Sequence, residues 1–206
     1  MPQYEDIFQK LFGIPILPPT DYPALFDSNI EPERPILTVH SDAMGRLFAR
    51  PMFWSLIPNF APTFKPDPNH RWYNIRRESF VGKYKEGLLA HQRCVVPVKA
   101  FLESTRKREW FEFSHNSEDL LFLAAVYDIW QEKRLSCSII TTNSNETVMP
   151  IHHRMPFVIS SNMAREWLDG SVTAVPRLKD WLSHEQPECL VRNRAQPHDE
   201  AQRELF

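Results

Sequence analysis

Glycine is scarce in this chain, five residues against eighteen prolines in 206. That balance favours short strands joined by stiff turns over long helices. Cysteine is rarer still: Cys94, Cys137 and Cys189 are odd in number and far apart, with no Cys-x-x-Cys and no metal-ligand spacing. A disulfide framework and a zinc site are excluded on that pattern, no cofactor is called for, and a reducing cytoplasm is the expected setting. No long hydrophobic run exists either. The longest, Leu120 to Val126, falls far short of the roughly 20 residues a membrane helix needs. The chain as given opens without a basic segment followed by an apolar one, so no signal peptide is expected. Charge of one sign is missing too: the formal net charge is −2, so any nucleic-acid binding must come from a local patch. Repeats and low-complexity tracts are absent.

What is present suits one globular domain over residues 1–206. Hydrophobic residues make up 42% of the chain, enough for a substantial core. The spacing of Tyr4, Ile7, Phe8, Leu11 and Phe12 predicts an amphipathic helix stopped by Gly13 and Pro15. Strands are expected at 35–40, 47–57, 93–104, 110–114, 120–130 and 135–142. Further helices are expected over 80–91, from an N-cap at Ser161 through Leu168, and over 177–184. From Glu185 the tail reads as polar and includes Val191-Arg192-Asn193. Many short strands with helices near both ends predict an α+β fold around a mostly antiparallel, barrel-like sheet.

The chemistry concentrates in Met149 to Pro156, Met-Pro-Ile-His-His-Arg-Met-Pro, just past a strand end. Pro150 and Pro156 predict a stiff, non-helical loop. Imidazole suits proton transfer near neutral pH, and guanidinium holds phosphate in a fork. The bland alternative is a loop with surface histidines. On an extended segment His152 and His153 would face opposite ways, which argues against a shared metal. In the strand from Arg93, alternation puts Phe101 and Glu103 on one face, so Glu103 is a candidate for a raised pKa. Asn74 and Arg76, just after a long polar loop, predict a binding loop, with Arg77 and Glu78 as solvated charges. The aromatic run from Phe53 to Phe60 reads by default as core.

Together, Asn74-Ile75-Arg76-Arg77-Glu78, Arg93-Cys94-Val95-Val96-Pro97 with Phe101-Leu102-Glu103, and Ile151-His152-His153-Arg154-Met155-Pro156 resemble the SOS response-associated peptidase (SRAP) family. Its patterns are Asn-Ala-Arg-x-Glu, Arg-Cys-Leu-x-Pro-x-x-Gly-Phe-x-Glu-Trp and Ile-His-x-Arg-Met-Pro, in that order. Trp54-Ser55-Leu56-Ile57-Pro58 is similar to its Trp-Gly-Leu-Ile-Pro, and Asn29-Ile30-Glu31-Pro32 to its Asn-x-x-Pro turn. The resemblance spans roughly residues 25–170, ahead of a tail at about 185–206. Each motif alone is weak; five in order are not. Members of the family shield abasic sites in single-stranded DNA. The resemblance implies Asn74, Glu103 and His152 as active-site groups, Arg76 and Arg154 as phosphate contacts, and Trp54 and Pro32 as wedges beside the lesion. It implies a monomer acting on single-stranded DNA, with no membrane partner.

Two departures bear on chemistry. Family members use a cysteine directly after the initiator methionine, whose amine forms a Schiff base with the abasic aldehyde and whose thiol closes a thiazolidine. Here the chain reads Met1-Pro2-Gln3. Either a cysteine-bearing leader precedes Met1, or Pro2 presents a secondary amine that gives an iminium without a thiol to trap it. Ser104 replaces the family's tryptophan after Glu103, and Ala100 its glycine. Three readings follow: abasic-site processing, a DNA-binding module of the same fold without a nucleophile, and a hydrolase using His152 with Glu103 or Cys94. The last is disfavoured because no nucleophile elbow is visible.

Overall fold

In the computed structural model, which describes residues 9, 12–13, 29–42, 44–69, 71–116, 120–186, 188 and 190–195, the chain is organised by a sheet that closes on itself. The strands in order are β1 (Pro35–Ser41), β2 (Leu47–Trp54), β3 (Asn74–Arg76), β4 (Arg93–Val98), β5 (Ala100–Ser104), β6 (Trp110–His115), β7 (Leu121–Trp130), β8 (Arg134–Asn143), β9 (Arg154–Pro156), β10 (Val158–Ile159) and β11 (Leu190–Arg194). The helices are α1 (Lys83–His91), α2 (Ser161–Trp167) and α3 (Val175–Trp181). Strands β7, β4, β1, β2 and β8 pair in that order, and β8 pairs back onto β7, closing the ring. β10, β3 and β9 extend it, while β11, β6 and β5 form a separate antiparallel sheet. Two pairings are parallel, β2 with β8 and β3 with β8. The expected α+β fold with a mostly antiparallel, barrel-like core is therefore the observed one.

The ring closes because its strands are apolar on both faces. Along β7, Leu121, Leu123, Ala125 and Tyr127 join one buried cluster, while Phe122, Ala124 and Val126 join another. A strand covered on both sides reads as a continuous apolar run rather than an alternation, which is why 120–126 looked so uniform. The helices pack on the second cluster through Leu88, Trp167 and Leu178. The small sheet packs on the first through Phe101, Phe113 and Leu190. Arg93, 5% exposed, ties the helices down. Its guanidinium donates to the carbonyls of Leu89 and Ala90 at the end of α1 and of Trp167 and Asp169 at the end of α2, at 2.6–2.8 Å. Those carbonyls have no partner within their own helices, so one buried cation satisfies two helix ends.

Four expectations need correction. The strand expected over 93–104 turns a corner at Lys99: Arg93–Val98 stays in the ring and Ala100–Ser104 enters the small sheet. Asn74–Arg76 is a strand on β8 rather than a free loop. The polar tail carries β11, whose long-range pairing with β6 local composition could not reveal. The run before His152 is turned rather than extended: Met149 donates to the Asn145 carbonyl, and His152 to that of Val148. Pro150 sits within this turn without breaking it, since its missing N–H falls between those two bonds.

Of the first predicted helix, the described residues fit the expected stop. Gly13 has φ 67° and donates to the Gln9 carbonyl, and Phe12 packs edge-on against Phe122. The rest of that helix, and Pro2, lie outside the described residues. The helix at 161 is capped by Ser160, whose hydroxyl accepts from the Met163 amide. Among the described residues no helix is long and apolar enough to cross a membrane.

Candidate active site

Glu103, on the small sheet, and His152, in the loop before β9, meet. Glu103 lies on β5, whose register stacks Phe101 on Phe113 in the core and leaves the carboxyl at the rim. His152 sits just before β9, and its Nδ1 is 3.4 Å from Glu103 Oε2. Burial pushes the Glu103 carboxyl up to about 7, and the charge of a protonated His152 opposes only part of that shift. His152 Nδ1 also lies 2.9 Å from the Arg154 carbonyl oxygen. A carbonyl only accepts, so Nδ1–H donates and the lone pair of the neutral ring sits on Nε2. With 38% of its side chain exposed, the imidazole remains open to an incoming molecule. The pair is thus a buried acid poised near neutrality beside an accessible base.

The neighbouring ladder places the remaining polar groups. β3 pairs Asn74 with Ile139 and Arg76 with Thr141; β9 pairs Arg154 with Asn143 and Pro156 with Thr141. Paired residues project on the same side of a sheet. Asn74, Arg76, Thr141, Asn143 and Arg154 therefore share one face, while Ile75 is buried on the other. Asn74 and Arg76 are exposed, and the Arg76 guanidinium has no partner among the described residues.

Arg154 is held quite differently. Its Nη1 donates to Glu78 Oε1 (3.0 Å) and Asn143 Oδ1 (2.9 Å), and its Nη2 to Glu78 Oε2 (3.0 Å) and the Thr141 carbonyl (2.7 Å). Only 13% of this side chain is exposed, and Nε is buried without a partner. The guanidinium spends its donors inside the protein, and the Arg154 carboxylate partner is held below its ordinary pKa by them despite some burial. Glu78, expected to be a solvated charge, is half of a bidentate ion pair. Arg77 likewise donates to the Leu182 carbonyl at the end of α3.

Trp54 and Pro32 are neighbours through the backbone. Glu33 donates to the Trp54 carbonyl (2.7 Å), and Trp54 to that of Arg34 (2.9 Å). The indole Nε1 donates to the Tyr73 carbonyl (2.9 Å), one residue before Asn74, which fixes the ring beside β3. Both side chains are half-buried.

Residues that the sequence did not flag hold the His152 turn. Glu188 accepts from the Glu146 amide and the Thr147 hydroxyl, each at 3.0 Å, and the Gln186 side chain accepts from the Val158 amide at 2.6 Å. These partners lie between 28 and 42 residues apart, so no local pattern could have paired them. The adjacent histidine rings lie 4.7 Å apart rather than on opposite faces, because the segment is turned. Even so, no three His, Cys, Asp or Glu among the described residues cluster as a metal site. Cys94 is fully buried, which pushes its thiol well above the ordinary value, and it cannot serve as a nucleophile.

The family model for SOS response associated peptidase (SRAP) matches residues 10–196. Abasic site processing protein YoqW of Bacillus subtilis is 27% identical over 190 residues, covering 87% of this chain and 82% of that protein. Abasic site processing protein HMCES of Xenopus tropicalis is 30% identical over 171 residues, covering 68% of this chain and 50% of its own. A Bordetella bronchiseptica protein superposes with a TM-score of 0.74 at 15% identity, over 94% of this chain and 96% of its own. Taken with the five ordered motifs and the site they build, the chain belongs to the SOS response-associated peptidase (SRAP) family.

Proposed function

We propose that this protein binds single-stranded DNA at abasic sites and processes them as a monomer in the DNA-damage (SOS) response of the cytoplasm. The observation that carries the reading is the Glu103–His152 pair: a carboxyl pushed up to about 7 within 3.4 Å of an exposed imidazole. The abasic relatives' names and the family match support it. An abasic site has no base to read, so recognition must rest on backbone grip, stacking and reaction with the ring-opened aldehyde. Arg76 supplies an exposed cation for the backbone, and Trp54 with Pro32 forms the wedge against the neighbouring bases.

The chemistry requires proton movement at two stages. An amine adds to the aldehyde carbon to give a carbinolamine, and that hydroxyl must then leave as water. Protonated Glu103 donates the proton to the departing hydroxyl, and the resulting carboxylate takes one back when water re-enters. His152 Nε2 accepts the proton released by the attacking amine and passes it to the alkoxide oxygen, which becomes the carbinolamine hydroxyl, and Asn74 orients the sugar. An α-amino group titrating near roughly 8 is the nucleophile this scheme needs; Pro2 would give an iminium, a linkage that water or β-elimination resolves.

Borohydride trapping on an oligonucleotide with one abasic site tests the reading. A covalent adduct is expected, lost when the terminal amine is blocked. Affinity for abasic DNA without any trappable adduct favours the second reading, a binding module of the same fold. The feature that favours that reading is the Met1-Pro2-Gln3 start, which lacks the family's cysteine nucleophile.

A further inference from the structure

The small sheet offers more than a support for Glu103. β5, β6 and β11 put Glu103 opposite Phe111, and Phe111 opposite Arg194. One row further in, Phe101, Phe113 and Arg192 line up the same way. Cross-strand partners share a face, so both arginines of the edge strand lie on the face that carries the acid. Two strand spacings separate Glu103 from Arg194, about 10 Å. The Arg192 guanidinium lies 5.8 Å from the centre of the Phe111 ring, which is half-buried between it and the core. Arg194 is 75% exposed and, among the described residues, meets Glu109, itself 46% exposed, across a 3.2 Å surface contact that is weak in water. At the β5–β6 tip, Arg106, Lys107 and Arg108 are all exposed as well. In a chain of net charge −2, this is a local concentration of cations beside the site.

We propose that Phe111, Arg192 and Arg194 form a second backbone grip, which holds the single strand on one side of the lesion after it leaves the Glu103–His152 pair. The proposal rests on the abasic-DNA reading above. Its physical content is directional. Arg76 and the Trp54 wedge lie on the β3–β8 side of the pair, whereas this grip lies on the small sheet. Lengthening the strand on one flank of the lesion therefore brings new phosphates onto Arg192 and Arg194, and lengthening the other flank does not. Phe111 keeps the Arg192 side chain raised over its ring, which spares it the entropy of a free surface arginine.

The test uses the full chain and oligonucleotides carrying a tetrahydrofuran abasic analogue, extended stepwise on the 5′ or the 3′ flank, with anisotropy read over a range of salt. For the unaltered protein, affinity should rise with length on the flank that crosses the small sheet. Arg192→Ala with Arg194→Ala should remove that gain and lower the slope of log K against log salt by about 1.4, at roughly 0.7 per lost phosphate contact on single strands. Arg192→Lys with Arg194→Lys should keep the slope, because charge rather than fork geometry sets it. An alanine pair with unchanged melting temperature, slope and flank dependence overturns the grip while leaving the abasic-site reading intact. Failure of the unaltered protein to bind abasic DNA at all overturns both.

Discussion

Two glutamates meet basic side chains two residues apart on one segment, and the two pairs behave oppositely. Arg154 and Glu78 meet through a bidentate fork at 3.0 Å, with Asn143 and Thr141 filling the remaining donors, and the carboxyl is held below its usual pKa. His152 and Glu103 meet through one long contact, 3.4 Å, and burial pushes the carboxyl up to about 7. The difference lies in desolvation and in how many hydrogen bonds reach the carboxylate. Glu78 is half-exposed and doubly bonded, so its charge is cheap to keep. Glu103 is mostly buried and has a single weak partner among the described residues, so its charge is costly. A pair of the first kind fixes structure, and a pair of the second kind can exchange protons.

The sharpest way to break that contrast is to neutralise each carboxyl. Glu103→Gln should slow adduct formation on abasic DNA by roughly 10²–10⁴-fold, the usual range for a lost acid–base group, with DNA affinity retained. Its effect on stability has a defined sign. Because the folded carboxyl titrates at about 7 against 4.5 as a reference, the folded state holds the proton more tightly. Stability is full below the reference value and falls as pH rises toward 7. The glutamine variant should lack that decline, as pH-dependent thermal denaturation would reveal; a steeper decline would contradict the assignment.

Glu78→Gln should do the reverse. Its lowered pKa means the pair stabilises the fold above the unfolded value and that this contribution fades as pH falls through the folded one. The variant should lose roughly 1–3 kcal/mol at neutral pH, because it strips charge-assisted bonds from a mostly buried guanidinium, and less at acid pH. Chemical denaturation at both pH values measures this. Arg154→Ala should likewise register as lost stability first. That separates it from a phosphate contact, whose loss costs affinity alone.

A smaller effect is expected at Glu188, which anchors the turn before His152 through two hydrogen bonds. Glu188→Ala should cost about 1 kcal/mol and loosen the His152 turn. The pH profile of adduct formation should then shift with Glu103 still in place. Smallest of all, Arg76→Ala should leave the melting temperature unchanged and lower the salt slope on single-stranded DNA by about 0.7. An unchanged slope would remove Arg76 from the backbone contacts.

Much of this was legible in the chain and some was not. The strands 35–40, 110–114 and 135–142 announced themselves through apolar runs between turn residues, and their observed spans differ from expectation by a residue or two. The expected sharing of a face by Phe101 and Glu103 rests on the two-residue period of a strand, and the register agrees. The corner at Lys99 escaped because both halves of 93–104 read as strand. Which sheet each half joins is decided by partners elsewhere in the chain. The turn at 145–152 escaped for another reason: two prolines suggested an extended segment, yet the bonds to Asn145 and Val148 skip over Pro150. Glu78 looked like a solvated charge because its partner lies seventy-six residues away.

The sequence by itself determined the residue types, their alternation along each strand and the family they betray, since motif order and two-residue periodicity are properties of the chain. Tertiary structure alone decided which arginine is exposed, which carboxyl is buried and which tail residue holds the active turn. Those outcomes depend on desolvation and on hydrogen bonds between segments far apart in the chain, and neither exists until the barrel and the small sheet have closed around them.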